Sequence, residues 1–249
     1  MRMLYYVLIL ALALMPGFGP ASADEIRVAV ASNFTDAIKD VAEAFEKKAG
    51  HEVVLISGST GKHYAQIING APFDAFFAAD ARRPRLLEEE SVAVPGSRFT
   101  YAIGKLVLWS PDPALIDANA RVLSHGNFRH LALANPKLAP YGKAAEQVMR
   151  ARGVWEALQG RMVHGENVGQ TFQFVKTGNA ELGFVAYSQI KRAGDSTEGS
   201  FWEPPQSLYT PIEQQAVLLK DHPVARELMG FAKGDQARKI IRAHGYGTP

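Results

Sequence analysis

The sequence predicts an α/β protein made of two α/β lobes joined by a hinge, with a ligand cleft between them. Three observations carry that expectation. Strand-like and helix-like segments alternate along the chain, which implies parallel sheets wrapped by helices. The alternation starts afresh near Thr100, after a first run that closes with "RRPRLLEEE". Small and hydroxyl residues occupy strand-to-helix turns in both runs.

In chain order, "IRVAVA" from Ile26 predicts a buried strand, and Phe34, Ile38, Val41 and Phe45 then fall at helical spacing up to Gly50. "EVVLIS" predicts a second strand. A helix carrying Tyr64, Ile67 and Ile68 follows and closes at Gly70. "FDAFFAA" predicts a third strand, and "RRPRLLEEE" a helix after it. "YAIGKLVLWSP" reads as one long strand stopped by Pro111 and Pro113. "HLALANP" is another strand, leading through "KLAPYGK" into the helix "AAEQVMRARG". "RMVHGEN" leads through Val168 and Gly169 into the helical "QTFQFVKTG", and "ELGFVAYSQI" is a strand with its exit. Past a proline-rich loop come the strand "QQAVLLK" and two helices, "VARELMGFAKG" and "DQARKIIRAHG". Crossings between lobes are expected near 100–108 and 209–217. The first lobe then spans 24–103, the second 104–210, and 211–249 returns to the first.

Residues 1–23, "MRMLYYVLILALALMPGFGPASA", have an early arginine, an apolar stretch and a small-residue end at Ala21-Ser22-Ala23. That is the pattern of a cleavable secretory signal peptide, and its apolar stretch is short for a membrane span. The chain holds no cysteine, which excludes disulfides, thiolate metal sites, cysteine nucleophiles and a lipidated cysteine at the cleavage point. The export expected is therefore of an unlipidated protein, most simply into a bacterial periplasm. Charge is close to balanced, with 27 basic and 25 acidic residues, so no basic field for nucleic acid is expected.

The segment "VVLISGSTGKHYAQIINGAP" raises the question of a nucleotide loop. A P-loop needs glycine five residues before the Gly-Lys pair and Ser or Thr after it. Ile56 and His63 stand at those places, so both requirements fail. What survives is a strand, a tight hydroxyl turn and a helix N-terminus with unpaired N–H groups. Four such turns occur: Ala31-Ser32-Asn33, Gly58-Ser59-Thr60-Gly61, Pro140-Tyr141-Gly142 and Asn167-Val168-Gly169. Ligands of open α/β sheets bind where strands end and helices begin. Four helix starts facing one cleft suit a bare dianion, with Ser32 and Ser59 adding hydroxyl donors. Glu166 is the one acidic neighbour. A protonated phosphate needs an acceptor from the protein, whereas a fully deprotonated oxyanion does not. The turns therefore suit sulfate-like or molybdate-like anions better than phosphate. Taken singly, each turn also reads as an ordinary helix cap.

These turns and their flanks resemble the periplasmic molybdate-binding proteins of molybdate ABC transporters. The resemblance covers nearly all of the chain beyond the leader. It rests on "VAVASNFTDAIKDVAEAF", "SGSTGKHYAQIINGAPFDAFFAAD", "ANPKLAPYGKAAEQV", "ENVGQTFQFVKTGNAELGFVA" and "FAKGDQARKIIRAHGYG". It implies a type II periplasmic binding protein-like fold and a hinged capture mechanism. Ser32 and Ser59 would then give hydroxyl and backbone donors, and Asn33, Tyr141 and Val168 backbone N–H groups. One branch of the family adds a tyrosine hydroxyl late in the second lobe; here Ala186 takes that place, with Tyr187 next to it. The resemblance implies no cofactor and no free metal cation, with molybdate or tungstate as ligand, a monomer, and an inner-membrane ABC permease complex as partner.

Two other readings remain open. Another oxyanion such as sulfate is compatible with the same turns. A phosphoester hydrolase is the enzyme alternative, although no Gly-x-Ser-x-Gly elbow or His-Glu-x-x-His helix occurs. The seven histidines show no metal-ligand spacing, and most are expected at the surface. Lys62 and His63 are expected at a solvated rim of the cleft, and Asp80 as a helix cap.

Overall fold

The strands of the first run are β1 (Glu25–Ala31), β2 (Glu52–Gly58), β3 (Ala75–Ala78) and β4 (Phe99–Gly104). Later in the chain come β5 (Leu106–Ser110), β6 (Leu131–Ala134), β7 (Met162–Gly165), β8 (Leu182–Ala186), β9 (Ser200–Trp202) and β10 (Ile212–Leu218). They form two five-stranded sheets, ordered β2-β1-β3-β10-β4 and β7-β6-β8-β5-β9. This is a computed structural model, and it describes residues 24–191 and 198–249; the expected leader at 1–23 lies outside the described residues. Within those bounds no helix is long and apolar enough to cross a membrane.

Each sheet has the same logic. A parallel core (β1 with β2 and β3; β6 with β7 and β8) is extended by antiparallel strands that carry the chain between sheets. In the first sheet β10 runs antiparallel to β3 and β4; in the second, β5 runs antiparallel to β8 and β9. The chain leaves the first sheet after β4 and returns to it as β10.

The expected long strand over "YAIGKLVLWS" is two strands, divided at Lys105, whose carbonyl accepts from Tyr187 N at 2.9 Å. Both halves are largely buried, so the apolar run gave no sign that it changes sheets. The short strand β9 was also not expected, since three residues are too few to show a period.

The helices of eight or more residues among those described are α1 (Thr35–Ala49), α2 (Thr60–Ile68), α3 (Arg82–Glu89), α4 (Pro140–Ala151), α5 (Val168–Lys176), α6 (Pro223–Lys233) and α7 (Asp235–Ala243). α1 turns Ala37, Ile38, Val41, Ala42 and Phe45 inward and ends at Gly50 in the left-handed region, φ 74°. α4 starts at Pro140, four residues before the predicted "AAEQ" start. Proline suits the first helical position because its missing N–H had no intrahelical partner there. α6 and α7 return to the first sheet, where Leu228 and Ile241 pack with Phe34, Val41 and Tyr246. A second core gathers around Leu108, Leu133, Tyr141, Val148 and Phe184. Ala31 and Ala79 of the first lobe pack into that second core, so the lobes touch through apolar atoms as well as polar ones.

Candidate anion-binding site

β1 leads into a single 3-10 turn, Ser32–Phe34, while β2 ends at Gly58 directly before α2. Across the cleft, α4 and α5 begin at Pro140 and Val168. These four starts enclose one small void, with a volume of about 10 Å³. All five residues singled out from the sequence, Ser32, Asn33, Ser59, Tyr141 and Val168, line it, together with Thr60 and Asn167 among others. No Asp, Glu, Lys, Arg or His side chain belongs to its lining. Such a void is near the size of one water-sized sphere, against roughly 300–1,000 Å³ for sites that hold drug-sized ligands. A nucleotide has no room there.

The hydroxyls are aimed by what they accept. Ser59 is 2% exposed and caps α2, its Oγ accepting from Lys62 N at 3.3 Å. Ser32 Oγ accepts from Gly169 N of the opposite lobe at 3.1 Å. A serine hydroxyl has one proton to donate besides the bonds it accepts, so both remain donors. Asn167 caps α5 by accepting from Gln170 N at 2.9 Å, and Thr60 Oγ1 accepts from Ala79 N at 3.0 Å. The cap reading and the donor reading of Ser59 are therefore compatible in one geometry.

Further bonds hold the two sides together. Gly61 N donates to Leu138 O at 2.8 Å, and Arg83 Nη2 to Lys137 O at 3.2 Å. Lys62 Nζ reaches Glu166 Oε1 at 3.0 Å, with the two side chains 52% and 43% exposed. Glu166 is thus neutralised at the rim and stays outside the void. Asp80 caps α3 as expected, its Oδ1 accepting from Arg83 N at 2.9 Å.

His63 does not lie at a solvated rim: it is 2% exposed, and its Nε2 is 3.2 Å from Val30 O. Thr60, His63 and Ile67 share the inner face of α2, which turns the ring under the sheet while its neighbour Lys62 points outward. Burial pushes the His63 pKa below its usual value, against the opposing bonds to Gln66 and Val30. Of the other histidines, His125, His130 and His164 are exposed, and His51, His222 and His244 partly so. No group of three or more His, Cys, Asp or Glu side chains gathers to hold a metal among the described residues.

Neither Ala186 nor Tyr187 lines the void. Ala186 is fully buried, and the Tyr187 ring packs with Phe201 and under the Lys105 ammonium. The next two residues act from behind: Ser188 Oγ donates to Asn33 O at 3.2 Å, and Gln189 Nε2 to Val168 O at 3.2 Å. A buried cluster of Gln214, Tyr101 and Tyr246 supports Asn33 as well. No local signal marks these supports beyond polar residues at the ends of apolar runs. Burial raises the pKa of Tyr101, Tyr141 and Tyr246, which keeps each hydroxyl protonated and available as a donor.

The model of the bacterial extracellular solute-binding protein family matches residues 26–247. The chain belongs to that family. It is 52% identical over 230 residues to the molybdate-binding protein ModA of Azotobacter vinelandii, covering 91% of each chain. With ModA of Rhodobacter capsulatus the identity is 49% over 243 residues, covering 96% of this chain and 94% of that one. The solved Azotobacter vinelandii periplasmic molybdate-binding protein superposes with a TM-score of 0.88 at 46% identity, over 90% of this chain and 99% of that one. The chain is thus ModA-like, with the two-lobe fold of periplasmic solute-binding proteins, and the relatives it matches are named as binding proteins, not enzymes.

Proposed function

We propose that this protein captures molybdate in the periplasm and delivers it to an inner-membrane ABC permease. The observation that carries this reading is the void: helix starts from both lobes and two serine hydroxyls of the first lobe surround it, and no charged side chain lines it. A site with no carboxylate in its lining favours an anion with no proton of its own to place. The names of the relatives supply the choice of molybdate among such anions. Tungstate, of the same charge and shape, is expected to bind equally, whereas sulfate is smaller and is expected to bind more weakly. The feasibility is sound, since charge-assisted hydrogen bonds contribute about 1.5–3 kcal/mol each against an association cost of roughly 4–15 kcal/mol. Several such bonds leave a favourable balance.

The ligand set of this reading is Ser32 and Ser59 through hydroxyl and backbone, and Asn33, Tyr141 and Val168 through backbone N–H. The lobes are 24–103 with 211–249, and 104–210. Export by the leader at 1–23, a monomeric state and freedom from a lipid anchor belong to the same reading. Capture proceeds by binding to one lobe and closure about the hinge, so that both sides donate at once.

Isothermal titration calorimetry of residues 24–249 with molybdate, tungstate, sulfate and phosphate is the test. Tight molybdate and tungstate binding with weak sulfate is the expected result. Sulfate binding equally well moves the substrate; no heat from any of the four removes the reading. Ser32→Ala and Ser59→Ala are each expected to weaken molybdate by about 1–3 kcal/mol. Ser59→Ala also loses the cap of α2, so it alone lowers stability by a further roughly 0.5–2 kcal/mol.

A further inference from the structure

Gln214 lies on β10, the strand on which the chain re-enters the first lobe, and is fully buried. The pairing of β10 with β4 shifts register between Gln214 and Gln215, an irregularity of the kind that re-aims a side chain. The Gln214 amide meets both lobes. Its Oε1 accepts from Asn33 Nδ2 at 2.7 Å and lies 3.1 Å from the Tyr101 hydroxyl. Its Nε2 faces the Tyr141 hydroxyl of the opposite lobe at 3.4 Å. Asn33 and Tyr141 both line the void, and the side chain of each meets this one amide.

The surroundings leave room for that contact. A Cβ on Gly104, at the end of the other crossing strand β4, would collide with the Tyr141 hydroxyl and lie 2.7 Å from Gln214 Nε2. Both strands that carry the chain between lobes therefore flank the same hydroxyl. The rest of the cluster is satisfied: Tyr246 OH donates to Asn33 O at 2.6 Å, accepts from Asn33 Nδ2 at 3.1 Å, and lies 2.8 Å from Ser188 Oγ. The Gln214–Tyr141 contact is the longest of these bonds and, like those of Ser188 to Asn33 and Tyr246, crosses between lobes, so opening would break it.

We infer that Gln214 is a positioning residue, borne on a hinge strand, that couples lobe closure to the orientation of the Asn33 and Tyr141 backbone donors. This rests on the capture reading. On closure the Tyr141 hydroxyl exchanges water for Gln214, and the same amide pins Asn33. The anion thus meets donors from both lobes that are held by one group. A half-satisfied buried network is costly, which makes the arrangement selective for one closed geometry.

The test is stopped-flow molybdate binding, with thermal melts, for wild type, Gln214→Leu, Tyr141→Phe and the double variant. Tyr141→Phe keeps the backbone N–H and removes only the contact by which Gln214 reaches across. It is expected to raise the dissociation rate about three- to tenfold, the scale of one hydrogen bond, with the association rate within about twofold. Its melting temperature without molybdate should hardly move, because the open form leaves that hydroxyl to water. Gln214→Leu should raise the dissociation rate more, and the double variant should be no faster than Gln214→Leu alone. A purely structural role would shift the melts and leave dissociation rates unchanged. If wild type binds and Tyr141→Phe dissociates at the wild-type rate, this inference falls while the capture reading stands. Should Gln214→Leu not fold, Tyr141→Phe alone decides. A wild type silent toward molybdate, tungstate and sulfate overturns both.

Discussion

His63 shows how one residue joins the site to the solution outside it. Its ring is buried beneath β1, close to Val30 O, two residues before Ser32. Desolvation lowers its pKa from 6.5, so the folded protein holds it neutral where the unfolded chain takes up a proton. As pH falls below about 6.5 the unfolded state binds the extra proton first, and stability falls toward the lowered folded pKa. Above that range the contribution is fully present. Thermal melts from about pH 8 to about pH 5 should therefore drop more steeply for wild type than for His63→Gln, which has no proton to gain. Parallel curves for the two proteins would remove His63 as the source. The burial of His63 was legible in principle, since Thr60, His63 and Ile67 stand three and four residues apart on one helical face. Adjacency to Lys62 suggested the rim instead. The serines were easier to place, because a hydroxyl at the joint of a strand and a helix stands at the helix start whether it caps the helix or faces a ligand. Gln214 and Tyr246 were not legible: they reach Asn33 from 181 and 213 residues away, and no local pattern encodes that meeting.

Among elements, α2 meets the turn before α4 backbone to backbone across the cleft. Gly61 N donates to Leu138 O across the cleft, and a Cβ on Gly61 would lie 2.9 Å from that oxygen and 3.0 Å from Leu138 Cα. Backbone cannot yield as a flexible side chain does. Gly61→Ala should therefore prop the lobes apart while making α2 itself a somewhat better helix, by less than the roughly 1 kcal/mol of a helix interior because Gly61 is in the first turn. Its two effects have opposite signs: weaker molybdate binding in calorimetry, with an equal or higher melting temperature when molybdate is absent. Lower stability together with unchanged affinity would show that the approach at Gly61 does not limit closure. Alternation of strands and helices was readable because each has its own period of apolar residues. The break at Lys105 was not, since a strand leaving one sheet for another keeps both faces covered and the period intact. The early start of α4 was missed for a related reason: proline and glycine in "APYGK" read as a loop, yet proline at the first helical position favours the helix.

Over the whole molecule, closure rests on a few polar contacts between lobes and a small apolar seam at Ala31 and Ala79. An interface of that kind opens and closes readily, as the proposed capture requires. The Lys62–Glu166 pair sits at its edge, half-exposed, so its direct contribution to the closed state is about 0–1 kcal/mol. On the proposed capture reading, its larger effect is expected on the approach of the ligand. With the lobes apart the two charges act separately, Lys62 attracting a dianion and Glu166 repelling it; together they cancel. Lys62→Ala should then slow association, and Glu166→Gln should speed it, while each loses the bridge and dissociates somewhat faster. Screening gives the control, because the Debye length shrinks from about 30 Å at 0.01 M salt to about 3 Å at 1 M. Differences in association rate between the variants should be clear in stopped flow at about 0.01 M and collapse near 1 M, where only the faster dissociation persists. Association rates that shift in the same direction for both variants would mean that the pair acts only as a clasp, with no part in guiding the anion inward.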